Sequence, residues 1–261
     1  MNLSKRMSAV CALVRPAETI ADIGCDHGYV SIELVRAGCA KRVIAADVRP
    51  GPLAAAEKNI GLAGMSDRIE TRLSDGFHEI RPGEAQAAVI AGMGGDLCLR
   101  ILREAPEVLR GIRQLVLQPQ SEIARVREEI FSLGFAIDAE DMVEEDGKHY
   151  MMFSAVNVGM LPETLPEGFT TKAWGNPAEY RYGRFLLAEQ NPVLKAFLAR
   201  EYQKFEEVLE NLRVSGVHPE RMAELAAEQR YREEALSRYE MQGSDGVSPE
   251  HCPGGDCGSV G

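Results

Sequence analysis

No two of the six cysteines form a CxxC pair, and Cys11, Cys25, Cys39, Cys98, Cys252 and Cys257 fall at no spacing that a zinc module or a redox motif uses. They read as reduced thiols of a cytosolic chain, and no metal is expected. His251, Cys252 and Cys257 lie together in a Gly/Ser/Pro-rich stretch that reads as a disordered tail rather than a ligand set. Long apolar runs are also missing: nothing approaches the roughly 18 apolar residues that cross a bilayer, so no membrane association is expected. Met7 to Val14 after a basic start imitates a signal peptide, but Pro16 and Glu18 cut it short; a short amphipathic helix capped by Ser4 is expected instead. Positive charge is scarce, with 29 Lys and Arg against 40 Asp and Glu and a net charge of −11. A generic polyanion-binding surface is therefore excluded, and any nucleic acid must be met by a local basic patch.

Apolar bulk is not scarce. At 45% hydrophobic and 261 residues the chain can bury a full-sized core, most simply one substantial domain with an appendage. From Thr19 onward short β-type runs alternate with helical patterns. The runs are Ile20 to Ile23, Arg42 to Asp47, Arg68 to Leu73, Ala87 to Ala91 and Gln114 to Gln118. The helices are expected over Tyr29 to Ala37, Pro52 to Gly61, Leu97 to Leu109 and Glu122 to Leu133. That rhythm is the signature of an α/β fold, a doubly wound parallel sheet with helices on both faces. It ends in two β-type segments, Phe135 to Val143 and Lys148 to Val156, joined through Asp146-Gly147, a hairpin signal that makes the last two strands antiparallel neighbours. Residues 157–190 show no clear period, read as a connector, and carry Trp174, the single tryptophan. Asn191-Pro192 starts a helix with Leu194, Phe197, Leu198, Phe205, Val208, Leu209 and Leu212 on one side. Ser215-Gly216 breaks it and Pro219 opens a second, with Met222, Leu225, Ala226 and Leu236 on one face, giving a coiled-coil-like helical hairpin. The expected division is 1–158, 159–190, 191–240 and a tail at 241–261.

The chemistry concentrates at strand ends. Asp22-Ile23-Gly24-Cys25-Asp26-His27-Gly28 turns the first strand into a helix across two glycines that allow close approach of a ligand to backbone. Asp47, followed by Val48, closes the second strand 23 residues after Gly24, where a carboxylate accepts from both ribose hydroxyls of an adenosine-containing cofactor. Acids in the glycine loop disfavour a pyrophosphate and suit a sulfonium, so S-adenosyl-L-methionine is preferred to NAD. Asp75-Gly76 after the third strand suits the adenine amine. Singly, each of these acids has an even alternative as a helix cap or turn former. Ile90-Ala91-Gly92-Met93-Gly94-Gly95 places side-chain-poor backbone at the carboxyl edge, where a target group would enter, and Leu117-Gln118-Pro119-Gln120 supplies amides able to bond a base or a peptide. His27 is read as orienting the loop or contacting the methionine moiety rather than as a base.

Those segments, together with Leu3-Ser4-Lys5-Arg6, Gly51-Pro52 and Glu144-Glu145-Asp146-Gly147-Lys148-His149-Tyr150, resemble in order the bacterial TrmK family. The resemblance covers residues 1–158 closely. It implies a class I methyltransferase fold of seven strands with a coiled-coil appendage, and transfer of methyl from S-adenosyl-L-methionine to N1 of the adenine at position 22 of tRNA. Cys25 stands where that family usually has serine, Gly28 where it has alanine, Asp47 where it has glutamate and Gln120 where it has asparagine. The cofactor set is then Asp22, Gly24, Cys25, Asp26, His27, Gly28, Asp47, Val48, Asp75, Gly76, Ala91, Gly92 and Met93. Asp26, Tyr29, Met93 and Gln118 are expected at the reacting centre: Asp26 for the cation that forms on the base, Tyr29 and Met93 against the displaced adenine. Lys5, Arg6 and Gln120 are expected on the substrate, with Arg100, Arg103, Arg110 and Arg113 as further phosphate contacts. The rival readings are a class I enzyme with a small-molecule or protein substrate, an NAD-dependent oxidoreductase, and a non-catalytic RNA-binding protein. A monomer in the cytoplasm is expected.

Overall fold

The computed structural model describes residues 3–162, 169–215 and 219–240, and the side chains of all these except 206–224 and 240. The tail at 241–261, with His251, Cys252 and Cys257, and the break at Gly216 lie outside the described residues, as do the side chains of Val208, Leu209, Leu212 and Met222.

Helix α1 (Lys5–Ala12) starts at Ser4, whose Oγ accepts from the Met7 N–H at 3.2 Å, satisfying one of the donors a helix start leaves free. Then follow β1 (Ala17–Ile23), α2 (Tyr29–Arg36), β2 (Ala40–Asp47), α3 (Pro50–Leu62), β3 (Ile69–Leu73), β4 (Ala87–Met93), α4 (Gly95–Arg103), α5 (Pro106–Leu109), β5 (Gln114–Pro119), α6 (Ile123–Ser132), β6 (Phe135–Glu145) and β7 (Lys148–Asn157). The seven strands form one sheet in the order β3-β2-β1-β4-β5-β7-β6, parallel except for β7, which runs antiparallel to both its neighbours. Asp146 and Gly147, both at positive φ (51° and 72°), make the two-residue turn between β6 and β7 that the Asp-Gly pair announces.

Alternation along each strand sends side chains to opposite faces. Ala21 and Ile23 of β1 join α4, α5 and α6 on one face through Leu99, Leu102, Val108, Val126 and Ile130. Ile20 of the same strand joins α1, α2 and α3 on the other through Val10, Leu34, Ala56 and Ile60. Reversal of strand order at β1 and β4 opens a crevice at the carboxyl edge between them, the place where doubly wound sheets bind ligands.

Two expectations change. The single helix over Leu97 to Leu109 is two, because Pro106 has no N–H to continue α4, and α5 restarts at that proline. The connector is not structureless: α7 (Pro177–Tyr182) and α8 (Arg184–Ala188) pack with α9 (Pro192–Ser215) and α10 (Pro219–Glu240) around Leu186, Leu194, Leu198, Ala235 and Tyr239. Met142 of β6 and Met151 of β7 complete this third cluster, which seats the helical appendage on the edge of the sheet. Arg127 of α6 and Glu140 of β6 form a buried ion pair beneath it.

Candidate functional site

The loop between β1 and α2 turns twice through left-handed backbone, at Gly24 (φ +75°) and Gly28 (φ +73°), with Asp26 between them at φ 50°. The Gly24 and Cys25 N–H groups both donate to the Ala46 carbonyl, at 2.8 and 3.0 Å, which ties the loop to β2. The left-handed φ of Gly24 calls for glycine, and a Cβ there would stand 2.1 Å from the Met93 methyl carbon, so Met93 would have to move aside for any side chain at this point of the loop.

Two carboxylates lie beneath this loop. Asp22 is 4% exposed and accepts from the Ser31 hydroxyl at 2.6 Å; burial pushes its carboxyl up to about 6, with the Ser31 hydrogen bond opposing and the nearby Asp47 charge adding. Asp47, equally buried, accepts the Asp26 N–H at 3.2 Å on one oxygen and the Arg49 N–H at 2.9 Å on the other. Burial, and after it the charges of those two acids, push the Cys25 thiol up and hold it in its protonated form. Asp26 itself points outward, half exposed, 3.7 Å from His27 and 3.9 Å from Arg49. His27 stacks on Tyr29 with ring centroids 5.8 Å apart. Val48, 56% exposed, follows Asp47 at the carboxyl end of β2.

Asp75, expected against an adenine amine, has a protein partner. Its carboxylate takes both terminal nitrogens of Arg100, at 2.8 and 3.2 Å, and is held below the usual carboxylate range by that hydrogen-bonded pairing. The acid assigned to an adenine amine and the arginine assigned to phosphate therefore satisfy one another. Gly76 beside it, at φ +59°, lies against Ile101. Arg103 and Arg110 are paired with Glu129 and Glu107. Arg113 immediately precedes β5 and so lies at the opposite edge of the sheet from the crevice. None of these four is a free cation at the opening.

At the end of β4, Ala91 leads into Gly92 (φ +80°) and the half-buried Met93. The Gly92 N–H donates to the Gln118 side-chain oxygen at 3.1 Å, and that oxygen also accepts from Arg6 Nη1 at 3.0 Å. Gln118 is 1% exposed, so it reaches the opening through Gly92 and Arg6 rather than by its own amide. Gln120 is exposed, and its N–H bonds the Met93 carbonyl at 2.8 Å. Lys5 is drawn to the β6–β7 turn: its N–H donates to the Glu145 carboxylate and its Nζ to the Glu144 carbonyl at 3.2 Å. Sequence reasoning missed Ser31, Arg49 and Ser121, whose Oγ accepts the Gly95 N–H at 3.1 Å. Ser31 and Ser121 carry no local signal, since each meets its partner only through the fold.

The glycine loop with buried acids at the tips of β1 and β2 suits a cationic, adenosine-bearing ligand: the left-handed glycines admit it to backbone and the carboxylates complement its charge. Residues 3–153 match a family model described as a methyltransferase domain. The chain is 31% identical over 212 residues to the tRNA (adenine(22)-N(1))-methyltransferase of Bacillus subtilis (strain 168), covering 81% of this chain and 86% of that one. It superposes on the crystal structure of the B. subtilis m1A22 tRNA methyltransferase TrmK with a TM-score of 0.76 at 29% identity, covering 90% and 99% of the two chains. A Streptococcus pneumoniae protein described as a candidate tRNA (m1A22) methyltransferase, solved with S-adenosyl-L-methionine, superposes with a TM-score of 0.75 at 31% identity, covering 90% and 100%.

Proposed function

The chain belongs to the TrmK family of class I tRNA (adenine-N1)-methyltransferases, and from that membership we propose that it methylates N1 of the adenine at position 22 of tRNA with S-adenosyl-L-methionine as donor. The observation that carries this reading is the pair of buried carboxylates, Asp22 and Asp47, on neighbouring strand tips either side of Gly24, with Met93 over the glycine.

When bound, the donor supplies a methyl group on a positively charged sulfur. Adenine N1 has a free lone pair, so no base has to remove a proton first, and the work of the chain is placement. Gly24, Cys25, His27 and Gly28 form the cradle, Asp22 complements the cation, and Asp47 takes the ribose hydroxyls. Val48, Asp75 and Gly76 flank the adenine of the donor, with Asp75 acting alongside Arg100. Ala91, Gly92 and Met93 form the wall between donor and target. Tyr29 and Met93 hold the displaced target base, which must leave its pairing partner because N1 lies on the pairing edge. Asp26, half exposed above the loop, stabilises the positive charge that N1-methyladenine carries. Gln120, Lys5 and Arg6 meet the RNA. Residues 1–158 form the catalytic unit, 159–190 the connector and 191–240 the helical hairpin of a monomeric cytoplasmic enzyme.

Incubation with labelled S-adenosyl-L-methionine and unmodified bacterial tRNA, followed by nuclease digestion, tests the reaction. N1-methyladenosine is the expected labelled nucleoside; label confined to another nucleoside would overturn the proposal.

A further inference from the structure

The arginines around the opening are not equivalent. Arg49 sits 3.7 Å from Asp47 and 3.9 Å from Asp26, Arg100 is paired with Asp75 and Glu104, and Arg125 with Asp96 and Glu129. Arg6 has no carboxylate partner among the described residues. Its Nη1 donates to the neutral side-chain oxygen of Gln118 at 3.0 Å, and its guanidinium lies over the Tyr150 ring, 5.2 Å from the centroid. The same guanidinium stands 3.3 Å from where a Cβ on Gly92 would be, at the glycine wall itself.

We propose that Tyr150 and Gln118 form a bracket that aims the Arg6 guanidinium at the phosphate of the target nucleotide, a positioning role that rests on the methyltransferase reading above. A guanidinium has five N–H donors, and the bracket engages one of them. Its partners among the described residues are a neutral amide and an aromatic face, which leave its charge and its remaining donors for an anion. The target ring is not that anion, because it becomes a cation on methylation and a guanidinium against it would oppose the product charge. The phosphate of the same nucleotide is the nearest group of the right sign. Gln118 fixes the geometry: one buried oxygen holds both Arg6 and the Gly92 N–H, so the cation and the wall of the opening keep a set spacing. Tyr150, from the β7 end of the acidic turn, closes the other side.

Methyl transfer to tRNA is measured across a range of salt for wild type, Arg6→Gln, Tyr150→Leu and the double variant, with S-adenosyl-L-methionine affinity measured by calorimetry on each. Arg6→Gln is expected to raise KM for tRNA about tenfold and to flatten the slope of log kcat/KM against log salt by about one, with donor affinity held within about twofold. Tyr150→Leu is expected to raise KM a few-fold in the wild-type background and to add nothing once Arg6 is gone, because the ring acts only through the guanidinium. An unchanged KM and salt slope for Arg6→Gln, or the same factor for Tyr150→Leu in both backgrounds, overturns the bracket. A wild-type chain that binds the donor yet leaves tRNA unmethylated would instead defeat the functional reading, and the bracket with it.

Discussion

Arg127 and Glu140 face one another at 2.7 Å with both side chains wholly shut off from water. Glu140 also accepts the Phe185 N–H at 2.9 Å, and Arg127 donates to the carbonyls of Tyr180 and Arg181, so the pair bolts α6 and β6 to α7 and α8. Burial pushes the Glu140 carboxyl upward while the Arg127 charge opposes that shift. Removing one partner strands a charge in the interior. Arg127→Met should therefore cost about 3–5 kcal/mol of stability, most of it recovered in the double variant with Glu140→Gln. Urea unfolding followed by Trp174, which packs edge-on against Phe131, reports the change; a loss under about 1 kcal/mol for the single exchange would refute a joint of this strength.

Asp47→Ala should weaken S-adenosyl-L-methionine binding by about 10- to 100-fold, the worth of hydrogen bonds to a charged acceptor. Calorimetry reads this directly. An affinity equal to wild type would remove Asp47 from the ribose hydroxyls.

Because burial raises the Asp22 carboxyl from 3.8 to about 6, the folded chain holds that proton more tightly than the unfolded chain. Its contribution to stability is whole below about pH 4 and lost as pH rises through about 6. Asp22→Asn should gain stability relative to wild type across that window and hold the gain above it, as thermal melts at several pH values would record. A cationic donor favours the ionised carboxylate, so wild-type affinity should fall below pH 6 while that of the variant stays nearly flat. Parallel pH profiles for the two proteins would contradict the assignment.

Asp26→Asn keeps a side chain that tolerates left-handed backbone, here at φ 50°, and removes only the charge. It should lower kcat at least about tenfold with donor affinity little changed, since charge stabilisation by one group contributes on that scale or above. Equal losses in kcat and in affinity would place Asp26 in cofactor binding alone.

What could be read from the chain before folding follows the range of each signal. The Asp146-Gly147 turn and the acids at the ends of β1 and β2 are local patterns and appear where the residues predict them, as does the alternation of strand and helix except where Pro106 splits the helix expected over Leu97 to Leu109. Helices α7 and α8, six and five residues long, are too short to show a period, and their stability comes from packing around Leu186. The role of Gln118 was hidden because its partner Arg6 lies 112 residues away. The pairing of Asp75 with Arg100 is hidden for the same reason: the two lie 25 residues apart, and only the fold brings them together.

Methylation at position 22 is measured by labelled transfer from S-adenosyl-L-methionine to two tRNA transcripts that differ only in carrying A or G at that position. Label should enter the A transcript and not the G transcript. Equal labelling of the two would rule out A22 as the methylated base.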